Sequence, residues 1–420
     1  MENAELDLAE RFLRRESSAG DARALVKALL RKGVAEPARA EGLPSSAYGP
    51  ALGRLQARLT ELEGAVARER ELVQRLADEL EAAGDESRST VLAATDAPLL
   101  ELLIDILCER SRQQGARDPE RSLRLAHLAS EAARGMEGRV PAAKAADFRA
   151  QSRAQVGNAL RIAGDFSGAH EAFVAAVADL EMGSGDPARG GFVFGRLAAL
   201  FSDESRFEEA LSTTRKAGRL FRAAGLTIDR SRSLILEATV LFYLDRVPEA
   251  IGSLDRAAGL LAGLNEPRLT LAVTLNRASY LLTTRDLGEA AKGVAAARQL
   301  AMRLGNPLDA PRVAWVEAQL QAERGRLPEA ELELAAVRAE FLRLELPHEV
   351  ALVTLEMALV IARQGRLAEA GALAIEALAT FEALRVRPEA LASLRVALNA
   401  ARGEALRVEL LRTAIRRLRR

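Results

Sequence analysis

The residues of this chain that could do covalent chemistry are few and dispersed. Its three histidines, His127, His170 and His348, stand far apart. No H-E-x-x-H, P-loop or G-x-S-x-G occurs, so the familiar signatures of zinc hydrolysis, nucleotide hydrolysis and serine acyl transfer are missing. The stretch GSGDPARGG at 183–191 is Gly-rich but lacks the P-loop lysine, and it reads as a connector. The single cysteine, Cys108, lies in the apolar run LLIDILCERS and reads as a buried structural thiol. One cysteine excludes an intrachain disulfide and a cysteine-cluster metal site. These features predict no enzyme, no metal and no cofactor. What remains is the chemistry of recognition. Arg232 and Arg312 carry guanidinium forks suited to carboxylates, and Asn158 and Gln319 carry carboxamides that donate and accept as a peptide bond requires. Thr239 and Ser279 add hydroxyls, and Phe192 and Trp315 add aromatic anchors.

The elements that must position these residues follow from an internal repeat. Ala169, Ala210, Ala250, Ala290, Ala330 and Ala370 are separated by 41, 40, 40, 40 and 40 residues. An apolar residue precedes each by three positions, and a turn-like or polar residue precedes each by five: Gly164, Ser205, Asp245, Arg285, Gly325 and Gly365. The local strings, such as SRFEEA, DRVPEA and GRLAEA, each read as a helix stop, a short turn and the first turn of a new helix. Pro248 and Pro328 suit that first turn, where a missing N–H costs nothing. Two further rows of small residues share the phase. One is Gly157, Ala198, Ala238, Ala278, Ala318 and Ala358; the other is Ala176, Ala217, Ala257, Ala297, Val337 and Ala377. Small side chains at these phases let antiparallel helices approach and let successive pairs nest.

The pattern resembles the tetratricopeptide repeat (TPR) family over residues 142–387, with a 40-residue unit in place of the usual 34. The resemblance implies an all-α, right-handed α-solenoid of helix hairpins, at 147–163/167–181, 190–203/207–223, 228–244/247–263, 267–284/287–304, 308–324/327–344 and 348–364/367–384. A divergent pair, 97–114 and a helix carrying Ser122 and Ala129, should precede these, joined to them by a longer loop near GMEGRVPAA, and a pair at 388–401 and 404–418 should cap them. In this family the first helix of each pair lines a concave face. Asn158, Phe192, Arg232, Thr239, Ser279, Arg312, Trp315 and Gln319 are then groove candidates for a peptide or a helical partner. The rows that supply them end at Leu352, Leu355 and Leu359.

Residues 1–96 do not follow the repeat. Leu52, Leu55, Leu59, Leu62, Val66, Val73, Leu76 and Leu80 form a heptad seam broken by Glu69. It reads either as a coiled coil joining a homodimer or as an amphipathic helix folding back on the first repeat. Residues 5–37 are similar to the small zinc-binding helical domain of bacterial anti-sigma factors. The ligand positions there hold Ala28, Gly33 and Glu36, which implies a metal-free relic. The expected organisation is a small helical region at 1–45, a long amphipathic helix and linker at 46–96, and the repeat array with its cap at 97–420.

Composition limits the partners. The 420 residues exceed one ordinary core, as a stacked array permits. Lys plus Arg and Asp plus Glu number 59 each, so no net field steers the chain to nucleic acid or membrane. The arginine-rich end RVELLRTAIRRLRR has no interleaved aromatic residue and reads as a solvated helical cap. No apolar signal core or membrane-spanning run is present, so a cytoplasmic protein is expected, and high Arg and Ala usage points to a GC-rich bacterial genome. The functional expectation is a non-enzymatic scaffold or adaptor that binds a protein or peptide. A transcriptional or peptide-sensing regulator and an oligomer built through 52–80 are the alternatives.

Overall fold

The computed structural model describes residues 61, 64, 67–115, 117–384, 394, 398 and 408–418. The proposed anti-sigma-like segment, most of the heptad seam and the helix expected at 388–401 lie outside these residues or nearly so. Among the described residues the chain is all-α. It divides into two compact units, residues 1–185 and 186–420, and the division falls in the Gly-rich connector.

Unit 1 contains α1 (67–82), α2 (Asp85–Ala94), α3 (Ala97–Gln114), α4 (Pro119–Arg134), α5 (Ala142–Ile162) and α6 (Phe166–Glu181). α1 carries the end of the heptad seam and folds back. Val73, Ala77 and Leu80 are fully buried, and Arg110 of α3 reaches Asp78 at 2.5 Å and the Gln74 carbonyl at 3.0 Å. Arg121 of α4 holds Glu81 at 2.5 Å. α2 was not foreseen as a separate helix. Its C-terminal carbonyls are held by Arg139, which donates to Ala93 O and Thr95 O, each at 2.8 Å. A cation at that end also suits the helix dipole.

Unit 2 contains five hairpins: α7 (Pro187–Asp203) with α8 (Phe207–Ala223), α9 (Thr227–Tyr243) with α10 (Val247–Leu261), α11 (Pro267–Thr283) with α12 (Leu287–Leu304), α13 (Asp309–Glu323) with α14 (Leu327–Arg343), and α15 (Pro347–Arg363) with α16 (Leu367–Ala383). A final helix, α17 (Val408–Leu418), follows. The helix bounds match the expected ones to within a few residues. The small-residue rows are the packing seams: every alanine of the three rows is buried. In unit 1, a Cβ on Gly157 would fall 2.9 Å from the Phe173 ring.

The turns explain the period. All six predicted turn residues have left-handed backbones: Gly164, Ser205, Asp245, Arg285, Gly325 and Gly365. At Ser205, for example, its N–H bonds to Ser202 O and the next N–H, of Arg206, bonds to Phe201 O, at 3.0 and 2.8 Å. This is the paired bond of a Schellman stop. The same pair recurs within the inter-hairpin links at Gly225 and Glu345. A 17-residue helix plus a three-residue link makes a half-period of 20. The next helix then starts on an Arg-x-x-Glu fork: Arg206, Arg246 and Arg366 bind Glu209, Glu249 and Glu369 through both guanidinium arms. The acid sits near the positive helix end, which accounts for the glutamate before five of the six alanines, all but Ala169.

Candidate functional site

The first helices of successive pairs in unit 2 share one lining surface. Their hydroxyl, amide and charged side chains meet in a cavity of about 200 Å³ toward the C-terminal ends of α11, α13 and α15. Ser279 and Thr283 come from α11, Gln319 and Glu323 from α13, and Glu356 and Arg363 from α15. The apolar part comes from Phe242, Leu282, Leu359 and Val360. Phe242 is fixed by stacking on Tyr280, with ring centroids 4.2 Å apart and planes within 8°.

The polar groups are tied into pairs across neighbouring repeats. Gln319 Nε2 donates to Glu356 Oε1 at 3.1 Å, and Glu356 is only 7% exposed. The Glu323 carboxylate accepts from Arg363 at 3.0 Å and lies 3.7 Å from Arg412. Arg363 also donates to Ala322 O at 2.8 Å. The lining contains no histidine or cysteine, and its hydroxyls have no imidazole beside them to accept a proton. The chemistry it offers is amide pairing, charge pairing and apolar contact.

α17 closes one side of this cavity. Arg412 and Ile415 are among its lining residues, while Leu411, Ala414, Ile415 and Leu418 are buried in one cluster with Leu352 and Leu355 of α15. These leucines occupy the positions that hold Arg312 and Trp315 on α13. The apolar end of the two rows is thus the seat of the chain's own last helix.

The eight residues singled out from sequence fall in several places. Ser279 and Gln319 line the cavity together. Thr239 is half-buried on α9, and its hydroxyl donates back to Ile235 O at 3.1 Å. Arg232 and Arg312 are exposed and outside the cavity lining, and Arg232 pairs with Asp229 at 2.8 Å. Trp315 is half-buried and packs edge-on against Phe341, with centroids 6.0 Å apart, between two core clusters. Phe192 lies under the Arg196 guanidinium, 3.1 Å from ring centroid to Cζ. Asn158 belongs to unit 1, where it is buried and accepts from Arg161 at 3.1 Å. Glu323, Glu356 and Arg363 were not foreseen. The signal for two of them was a row two residues before each turn, Thr283, Glu323 and Arg363, one helical turn beyond Ser279, Gln319 and Leu359.

Among the described residues no group of His, Cys, Asp and Glu is placed to hold a metal ion, and no helix is long and apolar enough to cross a membrane. The charged pairs of unit 1 are structural. Asp179, 3% exposed, takes Arg149 at 3.1 Å and Arg153. Asp147 accepts the N–H of Ser184 at 3.1 Å and its hydroxyl at 2.5 Å, which fastens the connector.

No family model matches the chain, and no curated protein sequence matches it. Solved structures do. A Rap protein complexed with competence and sporulation factor aligns with a TM-score of 0.57 at 10% identity, over 75% of this chain and 87% of that one. Aspartyl phosphate phosphatase F from Bacillus subtilis aligns with a TM-score of 0.53 at 12% identity, over 92% of this chain and 94% of that one. NprR in complex with its cognate peptide NprX aligns with a TM-score of 0.53 at 15% identity, over 72% and 84%. These likenesses establish the fold as a TPR-type helical repeat.

Proposed function

We propose that this chain is a non-catalytic peptide-binding regulator or adaptor, and that its ligand enters the cavity lined by Ser279, Gln319, Glu323, Glu356 and Arg363. The observation that carries this reading is the lining itself: a carboxamide, two carboxylates and a guanidinium held in fixed pairs beside an apolar floor. Such a surface offers donors, acceptors and both charges to an extended or helical segment, with buried pairs that a wrong ligand would leave unsatisfied. Two of the structures that share the fold were solved with peptides, the competence and sporulation factor in one and NprX in the other. The intrachain burial of Val73, Ala77 and Leu80 favours the fold-back role for α1 over a dimer seam. A cytoplasmic site of action goes with this reading.

The test is a random-peptide display selection on the full chain, with the enriched peptides titrated against wild type, Gln319→Leu and Glu323→Ala. Trp315, the chain's single tryptophan, packs against the same helices and supplies a fluorescence readout. Loss of a buried, hydrogen-bonded partner should weaken binding by about tenfold or more. Peptides that bind all three proteins equally would move the site elsewhere.

A further inference from the structure

A second concavity in unit 2 is distinct from the peptide cavity and opposite in chemistry. It lies between the second helices α8 and α10, over α9, with a volume of about 570 Å³. Five arginines line it, Arg215, Arg219, Arg222, Arg230 and Arg256, against two carboxylates, Glu237 and Glu249. Glu237 is almost fully buried and is shared by Arg215 at 3.0 Å and Arg256 at 3.4 Å. Glu249 is taken by Arg246 at 2.6 Å, from outside the cleft. Arg219, Arg222 and Arg230 have no ion pair among the described residues, so the lining carries unneutralised positive charge.

A second observation concerns the wall of the same space. Thr214, 1% exposed, lines the cleft, and its hydroxyl makes no hydrogen bond. A buried hydroxyl left unmade is costly, and an acceptor delivered by a ligand would satisfy it. The cleft is also kept open by Gly252, where an added Cβ would meet nothing within 4 Å.

We infer that this cleft binds a small phosphate compound of nucleotide size. Guanidinium forks pair bidentately with phosphate oxygens, and three unpaired arginines match a group with two or three negative charges. The volume falls in the range of small-ligand sites. The arginines neutralise the phosphate oxygens, and a turn of the Thr214 side chain about χ1 brings its hydroxyl to one of them.

The test uses the full chain, with sodium pyrophosphate and ATP as probes and sodium sulfate at matched ionic strength as the comparison. Calorimetric titration should show saturable binding of pyrophosphate or ATP at physiological salt, beyond that of sulfate. Arg219→Ala/Arg230→Ala should weaken it by about tenfold or more. Gly252→Leu, which fills the cleft from an open helical position, should abolish it. Thr214→Val should weaken it while leaving the melting temperature of the free protein unchanged or higher, which separates a ligand contact from a folding defect. No binding of either probe, binding matched by sulfate, or full binding by the Gly252→Leu protein would each overturn the inference. Glu323→Ala should leave phosphate binding intact, so this result stands apart from the peptide reading.

Discussion

The guanidinium of Arg412 lies 3.7 Å from the Glu323 carboxylate, which Arg363 also holds at 3.0 Å. Three helices, α13, α15 and α17, therefore meet at one acid at the edge of the cavity. The salt bridge sets position, whereas the apolar face of α17 supplies the binding energy.

That division gives the first expected outcome. Leu411→Ala removes a fully buried side chain and should cost about 2–4 kcal/mol, read by urea unfolding through Trp315 fluorescence. Arg412→Ala should cost about 1 kcal/mol or less, because its ion pair is partly open to water. A Leu411→Ala loss under about 0.5 kcal/mol would mean that α17 is not docked as described.

The small-residue rows give the second. Gly157→Ala places a methyl 2.9 Å from the Phe173 ring, and Phe173 is itself 1% exposed and has nowhere to go. The helix-propensity gain of about 1 kcal/mol should be outweighed by overpacking of about 1–3 kcal/mol. Thermal unfolding should show a lower midpoint for Gly157→Ala and partial recovery in Gly157→Ala/Phe173→Leu. An unchanged midpoint in the single variant would put the helices further apart than the geometry requires.

The repeat was readable because its constraint is steric and recurs at the same phase. The alanines at 250, 290 and 330 are wholly buried, and Ser205, Asp245 and Arg285 take the left-handed backbone although none is glycine. Other features were hidden for specific reasons. In α2, DESRSTVLAA carries only Leu92 into the core, so its apolar periodicity is faint, and Arg139 at its end comes from a distant loop. Ser122 fills the alanine position of the divergent pair, and what its type did not reveal is its bonding: its hydroxyl and that of Ser111 bond each other's backbone carbonyls at 2.9 and 2.8 Å. Within the site, Ser279 and Gln319 were legible as members of an inward row. Glu323 was not, because an acid in the last turn of a helix opposes the dipole and looks like a surface residue. Its reason for being there, Arg363 and Arg412, comes from other helices. Arg232 and Arg312 had the right residue type but lie nearer the helix starts, away from where the linings converge.

The left-handed stops give a third outcome. Ser205 and Glu345 have φ of 61° and 56°, where a side chain is strained and glycine is not. Ser205→Gly and Glu345→Gly should each stabilise the chain by about 0.5–1 kcal/mol, since relief of strain exceeds the added unfolded-state entropy. Ser205 turns within a hairpin and Glu345 in a link between two others, with several helices separating them, so the gains should add. A drop in the thermal midpoint of the double variant would show that these side chains hold the turns by interactions stronger than the backbone strain.

The last outcome concerns pH. His348 begins α15 and is packed edge-on to Phe381, with ring centroids 5.6 Å apart. Burial pushes its imidazole below the ordinary value, and the nearby Glu349 carboxylate only partly offsets that. The folded state thus prefers neutral His348. Above about pH 6.5 the imidazole is neutral in both states and contributes no pH dependence. Below that value the unfolded chain takes up a proton that the folded chain refuses, so stability falls as pH falls, until the depressed folded pKa is reached. His348→Phe keeps the ring packing and removes the titration. Urea unfolding at pH 7.5 and pH 5.5 should therefore show a larger loss for wild type than for His348→Phe, with His127 and His170 common to both proteins. Equal losses would place the His348 ring in water and away from Phe381.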